Sequence, residues 1–203
     1  MILQMLISTS LTKILVSGNK LGDKGTTILC DAIRESTVSK VVELDLARNG
    51  IGPDGAKAIA ALCAVCPSLT VADLRYTALD TKTATTLATV AKEKGISLCG
   101  IKPEQTEANL QGSYPRFMKP ADAILLTADL AVRGSLTSLP LGDNHLGDEG
   151  VEALSIGLKD SKSLATLDLS NRHSWSTKFG PKGATALASA IAVMLRLSPS
   201  CPR

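Results

Sequence analysis

The sequence predicts an α/β fold in which short strands and helices alternate in stacked repeats. Three observations point to it: an apolar pattern that returns about every 28 residues, a Gly-x-x-Gly turn that follows the pattern, and apolar residues at helical spacing after the turn. A unit of this length holds one strand and one short helix, and neither element can bury its apolar side alone. The units must therefore stack to form a core.

The apolar pattern is clearest from Leu11 to Leu21, where it has the form L-x-x-L-x-L-x-x-N-x-L. It returns from Val41 to Ile51 and from Leu136 to Leu146, and weaker copies begin at Leu69, Ile96 and Leu164. The starts are separated by 30, 28, 27, 40 and 28 residues. Because the pattern alternates with period two before its asparagine, each copy predicts a short strand.

An asparagine ends the strand pattern as Asn19, Asn49 and Asn144. We expect its amide to bond backbone groups where the chain leaves the strand, although a simple turn-favouring role is the alternative. Gly-x-x-Gly turns then occupy 22–25, 52–55, 147–150 and 180–183. The helices that follow have an apolar stripe that should face inward, illustrated by Ala56, Ile59, Ala60 and Cys63, and by Ala184, Leu187, Ala188 and Ile191.

Stacked units of this kind predict a curved, right-handed solenoid, or horseshoe, with a concave parallel sheet and convex helices. The quoted residues resemble the leucine-rich repeats of ribonuclease inhibitor, NOD-like receptors and Ran GTPase-activating proteins over nearly the whole chain. We therefore expect residues 1–203 to form a single leucine-rich repeat domain of about six repeats. The resemblance implies protein–protein binding on the concave face or its rims. It carries over no catalytic residue, because the matching positions are the buried ones.

Two segments interrupt the repeats. The interval of 40 residues from Ile96 to Leu136 is about 12 residues longer than a regular repeat, and the extra residues lie in 102–119. This segment is either a binding loop or a decayed repeat; Thr106 to Leu110 is a candidate strand, and Pro120 a candidate helix start. Residues 171–179 insert about five residues and hold Trp175, which either anchors a partner or folds back over the rim with Phe179.

The two ends of the chain also depart from the repeat pattern. It begins like the tail of a helix whose own repeat is missing, which indicates N-terminal truncation, and Leu195 to Leu197 resembles the start of another strand. Uncapped ends expose core side chains, so we expect self-association through them.

Composition argues against several functions. With 22 basic and 19 acidic residues the net charge is +3, and no run of like charges forms a nucleic-acid-binding stripe. No apolar stretch reaches the roughly 18 residues that span a bilayer, so we expect no membrane association. Five cysteines, an odd number within apolar stretches, favour an intracellular and cytoplasmic protein.

The sequence predicts no enzyme, cofactor or metal site. His145 and His173 lie in turn segments without a partner that suggests a nucleophile or a metal cluster. Cys63 and Cys66 have the spacing of half a zinc site, but no second Cys-x-x-Cys follows. Core cysteine is the interpretation that we adopt.

The hypothesis for function is a protein-interaction scaffold. In each predicted strand, the side chains that alternate with the regularly spaced leucines of the repeat pattern, here called the ladder leucines, should line the concave face. An acidic stripe with some arginine and tyrosine on that face suits a polar partner. The predicted contact residues are Glu43, Asp45, Arg48, Asp73, Arg75, Tyr76, Asp168 and Trp175. Alternatives are a regulator of a small GTPase, as the resemblance to Ran GTPase-activating proteins permits, a structural spacer in a longer protein, and ordinary surface polarity for these residues.

Overall fold

A computed structural model describes residues 11–36, 38–173, 176 and 178–197, with side chains described up to residue 195. Within these residues the strands are β1 (Lys13–Leu15), β2 (Glu43–Asp45), β3 (Val71–Asp73), β4 (Ser138–Pro140) and β5 (Thr166–Asp168). The helices are α1 (Gly22–Glu35), α2 (Pro53–Val65), α3 (Thr81–Lys94), α4 (Pro120–Val132), α5 (Gly147–Asp160) and α6 (Pro181–Leu197). The predicted alternation of short strands and helices is confirmed.

The strands pair in parallel, as β1-β2-β3 and as β4-β5. In β2, Leu44 is fully buried, whereas Glu43 and Asp45 on either side of it are partly exposed. Leu44 pairs with Ile14 and Ala72, so ladder positions of successive repeats lie side by side in the core. The period-two pattern therefore places one apolar side chain per strand against the helices.

Each helix packs against the next helix along the chain. In α2 the stripe of Ala56, Ile59 and Cys63 is buried, as predicted, and Ala60 is half-buried. The prediction is wrong for α6, whose stripe of Ala184, Ala188 and Ile191 is exposed while Leu187 is half-buried. Among the described residues, α5 is the only helix that packs against α6. Residues 195–197, expected to begin a strand, instead end α6.

Two of the repeat asparagines, Asn49 and Asn144, join their repeat to the one before it. Asn49 Nδ2 donates to the carbonyls of Leu46 at 3.0 Å and of Val16, in the preceding repeat, at 2.9 Å. Asn49 Oδ1 accepts from the backbone N–H of Asn19 at 2.9 Å. Asn144 bonds in the same way to Leu110, Leu141 and Met118. The predicted backbone-bonding role of the amide is confirmed, and it includes a bond between repeats.

The Gly-x-x-Gly turns are also bridged between repeats. Asp23 Oδ1 accepts from the N–H groups of Gly52 at 2.6 Å and Gly55 at 3.0 Å, and so caps the N-terminus of α2. A Cβ atom on Gly55 would lie 2.8 Å from this oxygen. Glycine fits there because Ile51 Cγ2, at 2.7 Å, and this carboxylate take up the space of a Cβ atom. Asp148 makes the same two bonds to Gly180 and Gly183.

In the fourth repeat, which begins at Ile96, two separate segments take the place of a single strand. Ser97 forms a parallel bridge with Val71 of β3, whereas Glu107 forms one with Ser138 of β4. The candidate strand at 106–110 is thus reduced to one bridge with a few backbone bonds, and α4 begins at Pro120 as predicted. The irregularity predicted for 102–119 lies at this split.

Two buried side chains at the C-terminal end of α4, Asp129 within the helix and Arg133 directly after it, bond the backbone at the split. The Asp129 carboxylate accepts from the N–H groups of Leu98 at 2.7 Å and Cys99 at 3.0 Å. Arg133 donates to the carbonyls of Ile101 at 2.9 Å and Thr70 at 2.7 Å. These bonds satisfy buried backbone groups where the regular strand ladder is interrupted.

Candidate protein-binding surface

The predicted contact residues fall into three groups. Glu43, Asp45 and Asp73 lie on the neighbouring strands β2 and β3, and Asp45 is the register partner of Asp73 as predicted. Arg48, Arg75 and Tyr76 follow the ends of the same two strands. Asp168 lies apart from them on β5, beside Pro140. Trp175 lies outside the described residues; of its segment, Ser176 is buried and Phe179 is half-buried.

Three aspartates of this set close the turn at the end of their strand. Asp45 Oδ1 accepts from the N–H of Ala47 at 3.0 Å, and Asp73 Oδ1 accepts from the N–H of Arg75 at 3.0 Å. Asp168 Oδ1 makes the equivalent bond to Ser170 at 2.8 Å. Sequence reasoning missed this role. The sequence did carry a signal for this role, because an aspartate stands at the same position of three repeats. Aspartate side chains commonly accept a hydrogen bond from the backbone N–H two residues later.

Asp73 is buried, with 7% of its surface exposed. Its carboxylate also accepts two bonds from Arg75 Nε, at 2.9 and 3.1 Å. Gly100 covers it from the split fourth repeat, since a Cβ atom there would lie 2.8 Å from Asp73 Oδ2. Asp73, although it was predicted as a contact residue, is therefore largely covered by the fold itself, because the split fourth repeat packs over it.

The acidic stripe is balanced by neighbouring cations. Glu43 pairs with Lys13 at 2.8 Å and lies 3.8 Å from Lys102. The hydrogen bond from Lys13 lowers the pKa of Glu43 below its ordinary value. Arg48, by contrast, is exposed and has a φ of 59°, at the turn position that Tyr76 occupies in the next repeat with a φ of 61°. Asp45, Arg48 and Tyr76 thus keep accessible polar surface at the ends of β2 and β3.

An aromatic turn in the fourth repeat was not singled out from the sequence. Ser113 and Arg116 exchange backbone hydrogen bonds, and Tyr114 between them is 85% exposed. Phe117 stacks on His145 with ring centroids 4.4 Å apart. The available signal was a tyrosine and a phenylalanine within four residues of a chain with only 2% aromatic residues.

An apolar cleft of about 1010 Å³ opens between β5 and α6. The ladder residues Leu164, Leu167 and Leu169 are only half-buried there, unlike their fully buried counterparts such as Leu139. Phe179 and Leu187 line the opposite wall. The last described repeat therefore leaves part of its core open.

The cysteines behave as core residues in the described part of the chain. Burial raises the pKa of both Cys30 and Cys63 to about 12, and the core interpretation of Cys63 is confirmed. Cys66 ends α2 and is half-buried. Across the described ranges no three His, Cys, Asp or Glu residues converge to hold a metal ion. Within those ranges, too, no helix has the length and apolar character needed to cross a membrane.

Comparison with known proteins identifies the repeats. A family model described as Leucine Rich repeat matches residues 8–27, 39–60 and 135–155. The chain thus contains leucine-rich repeats at these three places. NACHT, LRR and PYD domains-containing protein 3 of Macaca mulatta is 26% identical over 212 residues, which cover 81% of this chain and 20% of that protein. This chain spans about a fifth of the length of the curated relative that it matches.

Two solved structures are similar at low identity. The tropomodulin C-terminal domain of Caenorhabditis elegans is 13% identical with a TM-score of 0.43, over 96% of this chain and 92% of that one. Leiomodin-1 actin-binding site 2 is 12% identical with a TM-score of 0.42, over 96% and 88%.

Proposed function

We propose that the chain is a protein-interaction module in which six repeats, as a single domain over residues 1–203, form one curved solenoid. Its partner binds the concave strand face and the turns at the strand ends. Support comes from parallel strands in register and from helices that pack in chain order, because such layers curve when helices are wider than strands. The repeats belong to a class of fold whose function resides in surfaces rather than in a fixed reaction.

One observation carries this proposal: register places outward side chains of neighbouring repeats next to each other. Asp45 beside the mostly covered Asp73, with Arg48 and Tyr76 at equivalent turn positions of the two repeats, gives a polar surface that spans two repeats. Asp73 and Arg75 hold its shape, whereas Glu43, Asp45, Arg48 and Tyr76 are the contacts that we assign to the partner. Asp168 and Trp175 would extend contact to the last repeat.

A photo-crosslinking experiment tests the location of the partner. A benzophenone amino acid replaces Arg48 in one variant and Lys57, which is exposed on α2, in another. In cells, the Arg48 variant should form a discrete crosslinked product that mass spectrometry identifies, and the Lys57 variant should not. Equal crosslinking from both positions, or from Lys57 alone, would place the partner elsewhere.

Affinity for the identified partner then tests the chemistry. Asp45→Asn removes the charge but keeps an oxygen that accepts from Ala47, so the turn should survive. Arg48→Ala removes the exposed cation, and Lys57→Ala is the matched control. We expect about tenfold weaker binding for Arg48→Ala and no measurable change for Lys57→Ala. Unchanged affinity in both strand-end variants would refute this contact surface.

Self-association is part of the proposal, through the open cleft beside α6. Ile191 is exposed and lines that cleft. The mass measured by light scattering should rise with protein concentration, and Ile191→Glu should abolish the rise because it buries a charge in the contact. A parent that stays monomeric at high concentration would contradict it.

The free, buried thiols of Cys30, Cys63 and Cys99 favour a reducing, intracellular location for such a binding protein.

A further inference from the structure

The insertion in the fourth repeat projects a turn at the rim of the sheet. Counting from the bridge between Glu107 and Ser138 puts Ser113 at the position that Asn144 holds in the next repeat. The extra residues form a closed turn, because Ser113 and Arg116 exchange two backbone hydrogen bonds. This turn presents Tyr114 to solvent with 85% of its surface exposed.

Packed rings support the exposed tyrosine. Phe117 is half-buried, with its ring centroid 6.4 Å from that of Tyr114 and 4.4 Å from that of His145. The Phe117 and His145 rings are nearly parallel, at 13°. An aromatic side chain on a closed turn loses little conformational entropy when a partner covers it, which is the usual character of an interface anchor. We call Tyr114, Arg116, Phe117, Lys119 and His145 the turn patch.

Charge is segregated around the turn patch. Arg116 and Lys119 are exposed, and in the described part of the chain neither has a carboxylate within 4.0 Å. The nearby acids are turned inward: both oxygens of Asp122 accept backbone N–H groups, and Asp143, which is 1% exposed, accepts from the N–H of Arg172. The patch therefore offers two cations beside aromatic rings, and neither cation forms an ion pair within the described residues.

We infer that the turn patch docks an acidic segment of another protein. An apolar side chain of that segment packs against Tyr114 and Phe117, and its carboxylates pair with Arg116 and Lys119. Two cations beside a hydrophobic anchor suit a short peptide, whereas a nucleic acid backbone needs a longer row of phosphate contacts. The patch contains none of the strand-face residues proposed above, so each proposal stands or fails by itself.

Fluorescence anisotropy of labelled peptides, titrated with the full chain, tests the inference. The probe is a fluorescein-labelled heptapeptide with a central phenylalanine between two acidic triplets, and its control replaces every acid with the amide. The charge-reversal pair is Arg116→Glu with Lys119→Glu. The matched pair is Lys57→Glu with Lys82→Glu, both exposed on helices, which changes the net charge equally.

We expect the parent to bind the acidic peptide and not the amide control. Charge reversal in the patch should weaken binding at least about tenfold, the helix pair less than about twofold, and Tyr114→Ser about fivefold. The milder pair, Arg116→Gln with Lys119→Gln, should also lose most of the binding. Circular dichroism should give all variants the parent spectrum.

Three results would overturn the inference. The parent fails to bind the acidic peptide, or the helix pair weakens binding as much as the patch pair does. Alternatively, a single-stranded DNA oligonucleotide of the same charge binds more tightly than the peptide and loses affinity with the patch pair.

Discussion

Removing the ladder amide of Asn49 should uncouple two repeats. Asn49→Ala eliminates bonds of 2.9 Å to Val16 O, 3.0 Å to Leu46 O and 2.9 Å from Asn19 N. Asn49 is 1% exposed, so water replaces these bonds poorly. Three bonds at about 1 kcal/mol each predict a loss of about 3 kcal/mol in the free energy of unfolding.

Asn19→Ala is the matched control. Asn19 is exposed, and its amide bonds only carbonyls of its own turn, Val16 O at 2.9 Å and Ser17 O at 3.2 Å. Water can solvate these groups in the variant, so we expect a loss below about 1 kcal/mol. The comparison thus separates a bond between repeats from a bond within one turn.

Urea unfolding, followed by circular dichroism and by tryptophan fluorescence, measures both variants. With a slope of about 2 to 3 kcal/mol per molar urea, Asn49→Ala should lower the midpoint by about 1 M or more. Separation of the two signals in the variant would indicate that repeats unfold apart. Equal midpoint shifts for Asn49→Ala and Asn19→Ala would refute the reasoning.

Three further predictions concern buried charge, helix capping and metal. Burial raises the pKa of Asp129 to about 7, so the native state keeps a proton that the unfolded chain releases near pH 4. The free energy of unfolding should therefore fall by up to about 4 kcal/mol as pH rises from about 4 to 7. Asp129→Asn should abolish this trend in urea midpoints. A difference between parent and variant that is constant with pH would contradict it. Asp23→Ala should cost about 1 to 2 kcal/mol by uncapping α2, against less than about 0.5 kcal/mol for the exposed Lys24→Ala; equal losses would exclude the cap. Elemental analysis should find no stoichiometric zinc, and one zinc per chain would overturn the core assignment of Cys63.

The sequence by itself determined the repeat, its strand–helix alternation and the register. Leu44 and Leu139 are fully buried, and Asp45 pairs with Asp73, because a period-two pattern repeated every 28 residues or so has one consistent way to stack. The backbone-bonding role of Asn49 was equally accessible, since a buried turn must satisfy its own polar groups. These features depend on the spacing of residues along the chain, which the sequence shows directly.

Only the tertiary structure decided which polar groups meet across repeats. Asp23 caps a helix that begins 30 residues later, and Asp129 replaces a strand ladder. Gly100 covers Asp73, and a closed turn presents Tyr114. The physical reason is that a carboxylate or a ring acquires its role from the backbone that packs next to it. Stacking of regular repeats brings Asp23 to the next turn, whereas the irregular fourth repeat sets the surroundings of Asp129, Asp73 and Tyr114.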